Sequence, residues 1–469
     1  MSATSAPIAG TLHSMDALNL AISLAGLYVV YLIGWTIYDV YFGPLSKFPG
    51  PKLDAVSIIP AIKSTMYGDD VTDHVALHKK YGPVVRTGPH MLSYANGATG
   101  FKDIYGFNKN RLAKDQQFYG HTPNKVPSII TADDANHSRQ RKILSHAFSD
   151  RALKEQEPLL KHWIELFRTK LQEQAEKGNN VDMLKMYNCT TFDIMGDLTF
   201  AEGLGMLNDS EYSPWVQAIF NGIKAGTQIR SIKMYSKLTN YLVEEVFFNS
   251  GPIRAKQLEH WNYSRERVDR RLARTPDRPD LWTKIIEKGE APQGLTLGEH
   301  HANGSLFMIA GTETTATALS GTTYQLLTNP DTLAKLTHEI RSQASSSDDL
   351  TLEFLAHQKY LMAVLQEGLR MYPPVPSALP RVTPPGGAAI CGEWVPGGVT
   401  VGVHHMGTYR NEDLFHKPYE FHPERWMGAP EFANDKLDSL EPFSVGPRNC
   451  LGKVCTVPCL RVAALKLLT

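Results

Sequence analysis

This sequence shows no bias of charge. Its 48 Lys and Arg residues balance 48 Asp and Glu, a formal net charge of zero, so no bulk pull toward nucleic acid is expected. Cysteine is scarce, with only five in 469 residues. They stand at Cys189, Cys391, Cys450, Cys455 and Cys459, none spaced as CxxC. An odd number, three of them crowded near the end, is not the disulfide framework of a small secreted domain, and a reducing compartment is expected for the body. No Gly-x-Gly-x-x-Gly follows a strand-like run and no Walker loop is present. The chain therefore offers no recognisable site of its own for a nicotinamide, a flavin or a nucleotide. Internal repeats are missing too, as is any linker long enough to cut the body in two.

What is present begins with an uncharged run, Ala17 to Tyr38. About 20 such residues in a helix cross a bilayer's hydrocarbon core. Tyr28, Tyr31, Trp35 and Tyr38 supply interfacial aromatics toward one end. No Lys or Arg precedes the run, unlike a cleaved signal peptide with its basic start and shorter apolar core. The expected organisation is a tail over 1–16, a transmembrane anchor over 17–38, a Pro/Gly hinge over 39–52 and one catalytic body over 53–469. The flanking charges, Asp16 before and Asp39 and Lys47 after, are too sparse to fix orientation; the positive-inside argument favours a single-pass protein with a cytosolic body.

Amphipathic helical patterns dominate between about residues 130 and 370. Arg151–Glu176 is one, broken by Pro158. Ser213–Lys224 is another, with Ser213 as N-cap and Pro214 at the first helical position. A long apolar stretch runs from Gly304 to Leu327, and residues 352–372 form the next helix. Gly386-Gly387, Gly392 and Pro396-Gly397-Gly398 then punctuate short β-prone pieces such as Val399–Val401. The fold class read from this texture is mainly α with a small β region.

Three clusters carry chemistry. The first is Phe443-Ser-Val-Gly446-Pro-Arg448-Asn-Cys450-Leu-Gly452. Gly446 permits a tight turn, Arg448 offers a planar fork to a carboxylate, and Cys450 precedes a helical stretch whose amides and dipole favour a thiolate. Phe443 can shield the sulfur, and Gly452 lets the backbone lie against a flat ring. From these residues alone two other readings stay open: an inert buried cysteine, or a metal cluster of Cys450, Cys455 and Cys459, a poor zinc or iron–sulfur site without a nearby His. The second cluster is Ala310-Gly311-Thr312-Glu313-Thr314-Thr315, a polar patch in an apolar helix. Gly311 weakens the helix there by about 1 kcal/mol relative to Ala. Thr314 either faces a pocket or bonds back to a carbonyl one turn earlier. The third is Glu367-Gly-Leu-Arg370, an acid and a base at i,i+3, which periodicity alone reads as a solvated ion pair.

Together these resemble the cytochrome P-450 family. Its signature FxxGxRxCxG matches at Cys450, its oxygen-activation pattern [AG]Gx[DE]T at Thr314, and its ExxR at Glu367 and Arg370. Its PERF-type loop matches at Phe421-His-Pro423-Glu424-Arg425-Trp426. The wording of the chain is closest to fungal secondary-metabolism members of the isotrichodermin C-15 hydroxylase type. The resemblance implies the P-450 fold behind one transmembrane helix, with haem b ligated through iron by Cys450 and enclosed by Phe443, Gly446, Arg448 and Gly452. It further implies propionate contacts from His137, Arg141 and Arg381, proton delivery by Glu313 and Thr314, and a structural triad of Glu367, Arg370 and Arg425. Substrate-wall candidates are Ile129, Ile130, Phe307, Ala310, Val375 and Ala378, residues that the pattern alone reads equally well as core.

The expected activity is insertion of one oxygen atom from O2 into an apolar small molecule, a hydroxylation or epoxidation, with NADPH electrons arriving through a membrane reductase at the endoplasmic reticulum. Two alternatives accompany it. One is a reductase-independent haem-thiolate isomerase or dehydratase, against which the Glu313-Thr314 pair speaks. The other is a truncated, non-catalytic product, because Pro458 falls where the family has a helix interior and the chain stops at Thr469.

Overall fold

The computed structural model describes residues 9–108, 111–120, 122–243, 252–288, 294–344 and 349–454. The readings that rest on Cys455, Pro458, Cys459 and Arg461 lie outside the described residues.

The first helix runs Ala9–Tyr41. Its Asn19–Tyr41 portion has mean hydropathy 1.9, and none of the scored window is buried. The apolar surface left uncovered by protein is long enough to cross a bilayer by length and composition. The 39–52 stretch that follows does not hang free. Leu45 and Phe48 are buried in the core of the small β region. Buried Arg86 donates to the Asp39 carboxylate at 2.5 Å and to its carbonyl at 3.3 Å. The same guanidinium reaches the carbonyls of Gly88 and Pro89 at 3.4 and 2.8 Å. Gly50 lies so close to the Arg86 carbonyl that a Cβ there would collide with it.

The β region is a five-stranded sheet and a hairpin. Its strands are β1 Val84–Gly88, β2 Met91–Tyr94, β3 Ala113–Lys114, β4 Arg381–Val382, β5 Ala388–Ile390, β6 Glu393–Val395 and β7 Thr400–Val403. The sheet order is β1-β2-β7-β4-β3, with β5 and β6 paired separately. β2 and β7 run parallel, while β3/β4 and β4/β7 are antiparallel. The β3/β4 register sets Lys114 opposite Arg381. Two basic side chains far apart in sequence thus become neighbours.

The helices surround a larger core. Pro214–Lys233 begins as expected, with the Ser213 hydroxyl accepting from the Val216 N–H at 3.3 Å. The pattern over 151–176 resolves into Asp150–Glu155 and Glu157–Glu176. Residues 352–372 likewise divide, into Leu352–Ala356 and Lys359–Met371. The single stretch expected from Gly304 to Leu327 is two helices, Leu297–Ala310 and Glu313–Thr328. The break falls at Gly311-Thr312. Thr312 and Thr314 donate to the carbonyls of Met308 and Ala310, at 2.6 and 2.7 Å, and Thr315 to that of Gly311 at 3.0 Å. Three hydroxyls competing for carbonyls within two turns loosen the backbone ladder and bend it. At the break, a Cβ on Gly311 would stand 2.7 Å from the Met195 thioether, so the missing side chain lets the helix Met183–Phe200 lie close.

Candidate active site

The broken helix, the segment after residue 371, the loop before Asp134 and the cysteine loop enclose one cavity of about 300 Å³. Its walls are mostly apolar. Ile129, Ile130, Phe148, Met195, Leu306 and Phe307 are among them, with Ala310, Gly311 and Thr314 at the helix break. At the base sit Phe443, Arg448, Cys450 and Gly452.

The cysteine loop is shaped by its glycine and its amides. Gly446 has φ +76°, and a Cβ there would collide with the Tyr105 carbonyl. A single 3-10 turn, Gly446–Arg448, then leads to Cys450. The Cys450 N–H closes the loop on the Phe443 carbonyl at 2.9 Å. The Cys450 sulfur lies deep in the molecule, yet the residue is accessible, because the cavity reaches it. Burial pushes its thiol pKa up, against the pull of the Gly452 and Lys453 amides and the charges of Arg141 and Lys453. The loop is also held from the side. Arg141 donates to the carbonyl and the side-chain oxygen of Asn449 at 2.6 and 2.5 Å.

One edge of the cavity is basic. Lys114, His137, Arg141, Arg381 and Arg448 all line it. Among the described residues, only Arg448 of the five pairs with a carboxylate, the exposed Asp134 at 2.8 Å. Nη1 of Arg448 is buried without a hydrogen-bond partner. Arg381 donates to the Tyr119 hydroxyl at 3.0 Å. Burial, then the charges of Arg381 and Arg448, hold Lys114 down to about 6. His137 is likewise lowered to about 4, by burial and by Arg448, Arg141 and Lys114. Mutually repelling donors around a dry cavity are what an anionic ligand relieves.

The Cytochrome P450 family model matches residues 49–457. The chain belongs to the cytochrome P450 family. It is 51% identical over 434 residues to the cytochrome P450 monooxygenase efuB of Hormonema carpetanum, covering 91% of this chain and 85% of that one. The cytochrome P450 monooxygenase astA of Talaromyces wortmannii is 39% identical over 92% of this chain and 87% of its own. The averantin hydroxylase of Dothistroma septosporum is 38% identical over 96% of this chain and 85% of its own.

Cytochrome P450 proteins carry haem, and this cavity fits it. The orphaned Arg448 nitrogen and the clustered bases of the rim suit two propionates. The apolar walls suit a flat macrocycle, and the Cys450 thiol at the base is a soft donor for iron. Lys114, Met195 and Asn449 belong to this site and escaped the sequence reading. A lone Lys ahead of any regular pattern gives no local signal, since only sheet pairing brings Lys114 to Arg381.

The remaining predicted residues divide. Thr314 lines the cavity, with its proton given to the Ala310 carbonyl. Glu313 does not line it. That half-buried carboxyl sits beside Thr314, and burial raises its pKa. Ile129, Ile130, Phe307, Ala310 and Val375 are wall residues, whereas Ala378 is not. Its methyl packs instead against Gly402 of β7, where a Cβ would come within 2.7 Å.

Glu367 and Arg370 are not the solvated pair that spacing alone suggests, for both side chains are fully buried. Arg370 grips the carboxylate at 2.7 and 2.9 Å, and Arg425 adds a contact at 3.0 Å. The Trp426 indole N–H and the His422 amide complete it, each at 2.9 Å. Burial alone would raise the Glu367 pKa, but Arg370, Arg425 and the His422 amide hold it below the ordinary range.

Proposed function

We propose that this chain is a haem-thiolate monooxygenase that inserts one oxygen atom from O2 into an apolar small molecule in fungal secondary metabolism. A single observation carries the reading. One apolar cavity has a thiol at its base, a cluster of bases along one edge and a threonine at a helix break. The names of the relatives, monooxygenases and a hydroxylase, support the same class and do not favour an isomerase or a non-catalytic product.

Haem, when bound, supplies the activation of dioxygen, and a thiolate ligand favours cleavage of the O–O bond. The protein's own residues do the rest. Cys450 would bind the iron, its loop pinned by Arg141 through Asn449. Arg448, Arg381, His137, Arg141 and Lys114 would hold the propionates, and Phe443 and Gly452 would border the ring. The apolar walls exclude water and orient substrate by shape. The Thr314 oxygen can accept a hydrogen bond from water in the cavity, while burial raises the pKa of the neighbouring Glu313 carboxyl, which eases its protonation. Glu367, Arg370 and Arg425 build the floor and touch no reacting atom.

Electrons reach the haem from NADPH through a membrane reductase that docks near the cysteine loop, where basic residues meet it. The organisation is an N-terminal tail, a transmembrane anchor, the packed 39–52 segment and the catalytic body. The anchor is placed in the endoplasmic reticulum with the body facing the cytosol.

The test is Cys450→Ser. The wild-type protein, reduced under carbon monoxide, is expected to show the red-shifted Soret band of a thiolate ligand, and the variant to lose it together with NADPH-dependent turnover in microsomes. A variant with unchanged spectrum and turnover overturns the assignment. Metabolite profiling of a strain deleted for the gene then names the substrate.

A further inference from the structure

The loop 122–132 carries Ile129 and Ile130 into the cavity and has no regular structure from Val126 to Ser128. Such a segment holds its shape only if its backbone groups find partners. Val126 and Ser128 find theirs within the loop, on Thr122, Asn124 and Thr131, whereas the Pro127 carbonyl and the Ile129 N–H find theirs on two helices. Asn303, on Leu297–Ala310, accepts the Ile129 N–H at 2.9 Å. The same amide donates to the Gln140 side-chain oxygen at 3.0 Å and to the Glu299 carbonyl at 2.9 Å. Gln140, on Asp134–Leu144, donates to the Pro127 carbonyl at 3.0 Å and to the Glu299 carboxylate at 3.1 Å. Asn303 and Gln140 are both fully buried, and each uses both donors and its acceptor.

A second contact is steric. The loop lies against Gly298, where a Cβ would stand 2.9 Å from the Val126 side chain. Asn124 adds a donor to the Gly298 carbonyl at 3.0 Å.

The position of this network matters. Asn303 sits one turn before Phe307 and two before Ala310, both cavity walls. Gln140 lies three residues after His137 and one before Arg141, both on the basic rim. Three walls of the cavity therefore share one buried amide pair.

We propose that Asn303 and Gln140 are positioning residues that set the gap between the loop wall (Ile129, Ile130) and the helix wall (Phe307, Ala310), and so determine which apolar ligands the cavity accepts. They touch no reacting atom. The proposal rests on the haem-thiolate reading of the same cavity.

The full-length haem-loaded protein is titrated with imidazole, which needs only access to iron, and with phenylimidazole, which must also fit between the two walls. Both are read from the Soret shift. Asn303→Leu leaves the Ile129 N–H and the Gln140 oxygen unpaired. It is expected to cut the preference for phenylimidazole over imidazole about tenfold and to raise hydrogen exchange in 122–132 about tenfold. Exchange in Lys359–Met371 stays unchanged. Gly298→Ala, which pushes Val126 off the helix and leaves the amide pair intact, is expected to move the same preference in the same direction and serves if Asn303→Leu does not fold. An unchanged preference in both variants, equal weakening of both ligands, or unchanged loop exchange overturns the proposal. Failure of the underlying reading shows separately, as a wild-type protein without the red-shifted carbon monoxide band.

Discussion

Two clusters of charge lie on opposite accounts within this molecule. Around Glu367 the charges are opposite in sign and every oxygen of the carboxylate has partners, two arginines, an indole and an amide. Around the cavity rim the bases repel one another with only exposed Asp134 against them, one arginine nitrogen has no partner among the described residues, and Lys114 and His137 are driven toward their neutral forms. The first cluster is complete within the polypeptide. The second is incomplete without an anion. Burying a charge is costly unless it is matched, so a buried set of like charges marks a place where a ligand supplies the match.

The largest effect should come from breaking the complete cluster. Glu367→Ala leaves buried Arg370 without a carboxylate and Arg425 with Asp435 alone, and is expected to cost about 3–5 kcal/mol. Thermal unfolding and the yield of folded protein check this. Arg448→Ala acts on the incomplete cluster and should do the reverse of what a structural residue does. Haem affinity should fall roughly ten- to hundredfold, as for loss of a charged hydrogen bond of about 1.5–3 kcal/mol. The melting temperature of the haem-free protein should not fall. Titration of haem into both apoproteins, with melts alongside, decides between the two kinds of cluster.

Protonation sharpens the contrast further. In the haem-free protein Lys114 titrates near 6 rather than 10.5. Between those values the unfolded chain holds more protons than the folded one, so stability of the haem-free protein rises with pH across that window. Carboxylates at the rim restore the Lys114 charge. Haem binding should therefore take up protons at pH values between the two, and its affinity should weaken as pH rises. Calorimetric titration in buffers of different ionisation heat measures the uptake; proton release would contradict the picture. The smallest effect is expected for Asp134→Asn, which removes the exposed partner of Arg448. Stability should change by less than about 1 kcal/mol, as for a surface pair, with haem affinity unchanged or slightly raised.

The sequence spoke most clearly where chemistry demands adjacent residues. Gly446, Arg448 and Cys450 share one loop, so their spacing is itself the signal. Glu367 and Arg370 share one helix turn, but nothing in their spacing reveals burial. That depends on Arg425, His422 and Trp426 arriving from another segment. Lys114 was invisible because its role comes from a strand pairing with Arg381 across more than half the chain. Ala378 was misplaced for a related reason. The proline-rich stretch carries Val375 to the cavity, and its next turn faces β7. Pro158 marked one helix break and Gly311 a bend, but the full break at Gly311-Thr312 and the division of 352–372 went unread, since apolar periodicity runs through both.

The grip of Arg86 on Asp39 has a mechanical meaning. A chain leaving a protein through loose residues lets the two parts swivel, like a boat on a mooring line. Here the last turns of the long apolar helix are bolted to the edge strand of the sheet, more like a keel to a hull. Any lean of that helix is passed to the sheet, whose strand β4 carries Arg381 to the cavity rim. In the proposed membrane-anchored arrangement, the heading of the helix sets which flank of the body faces the bilayer.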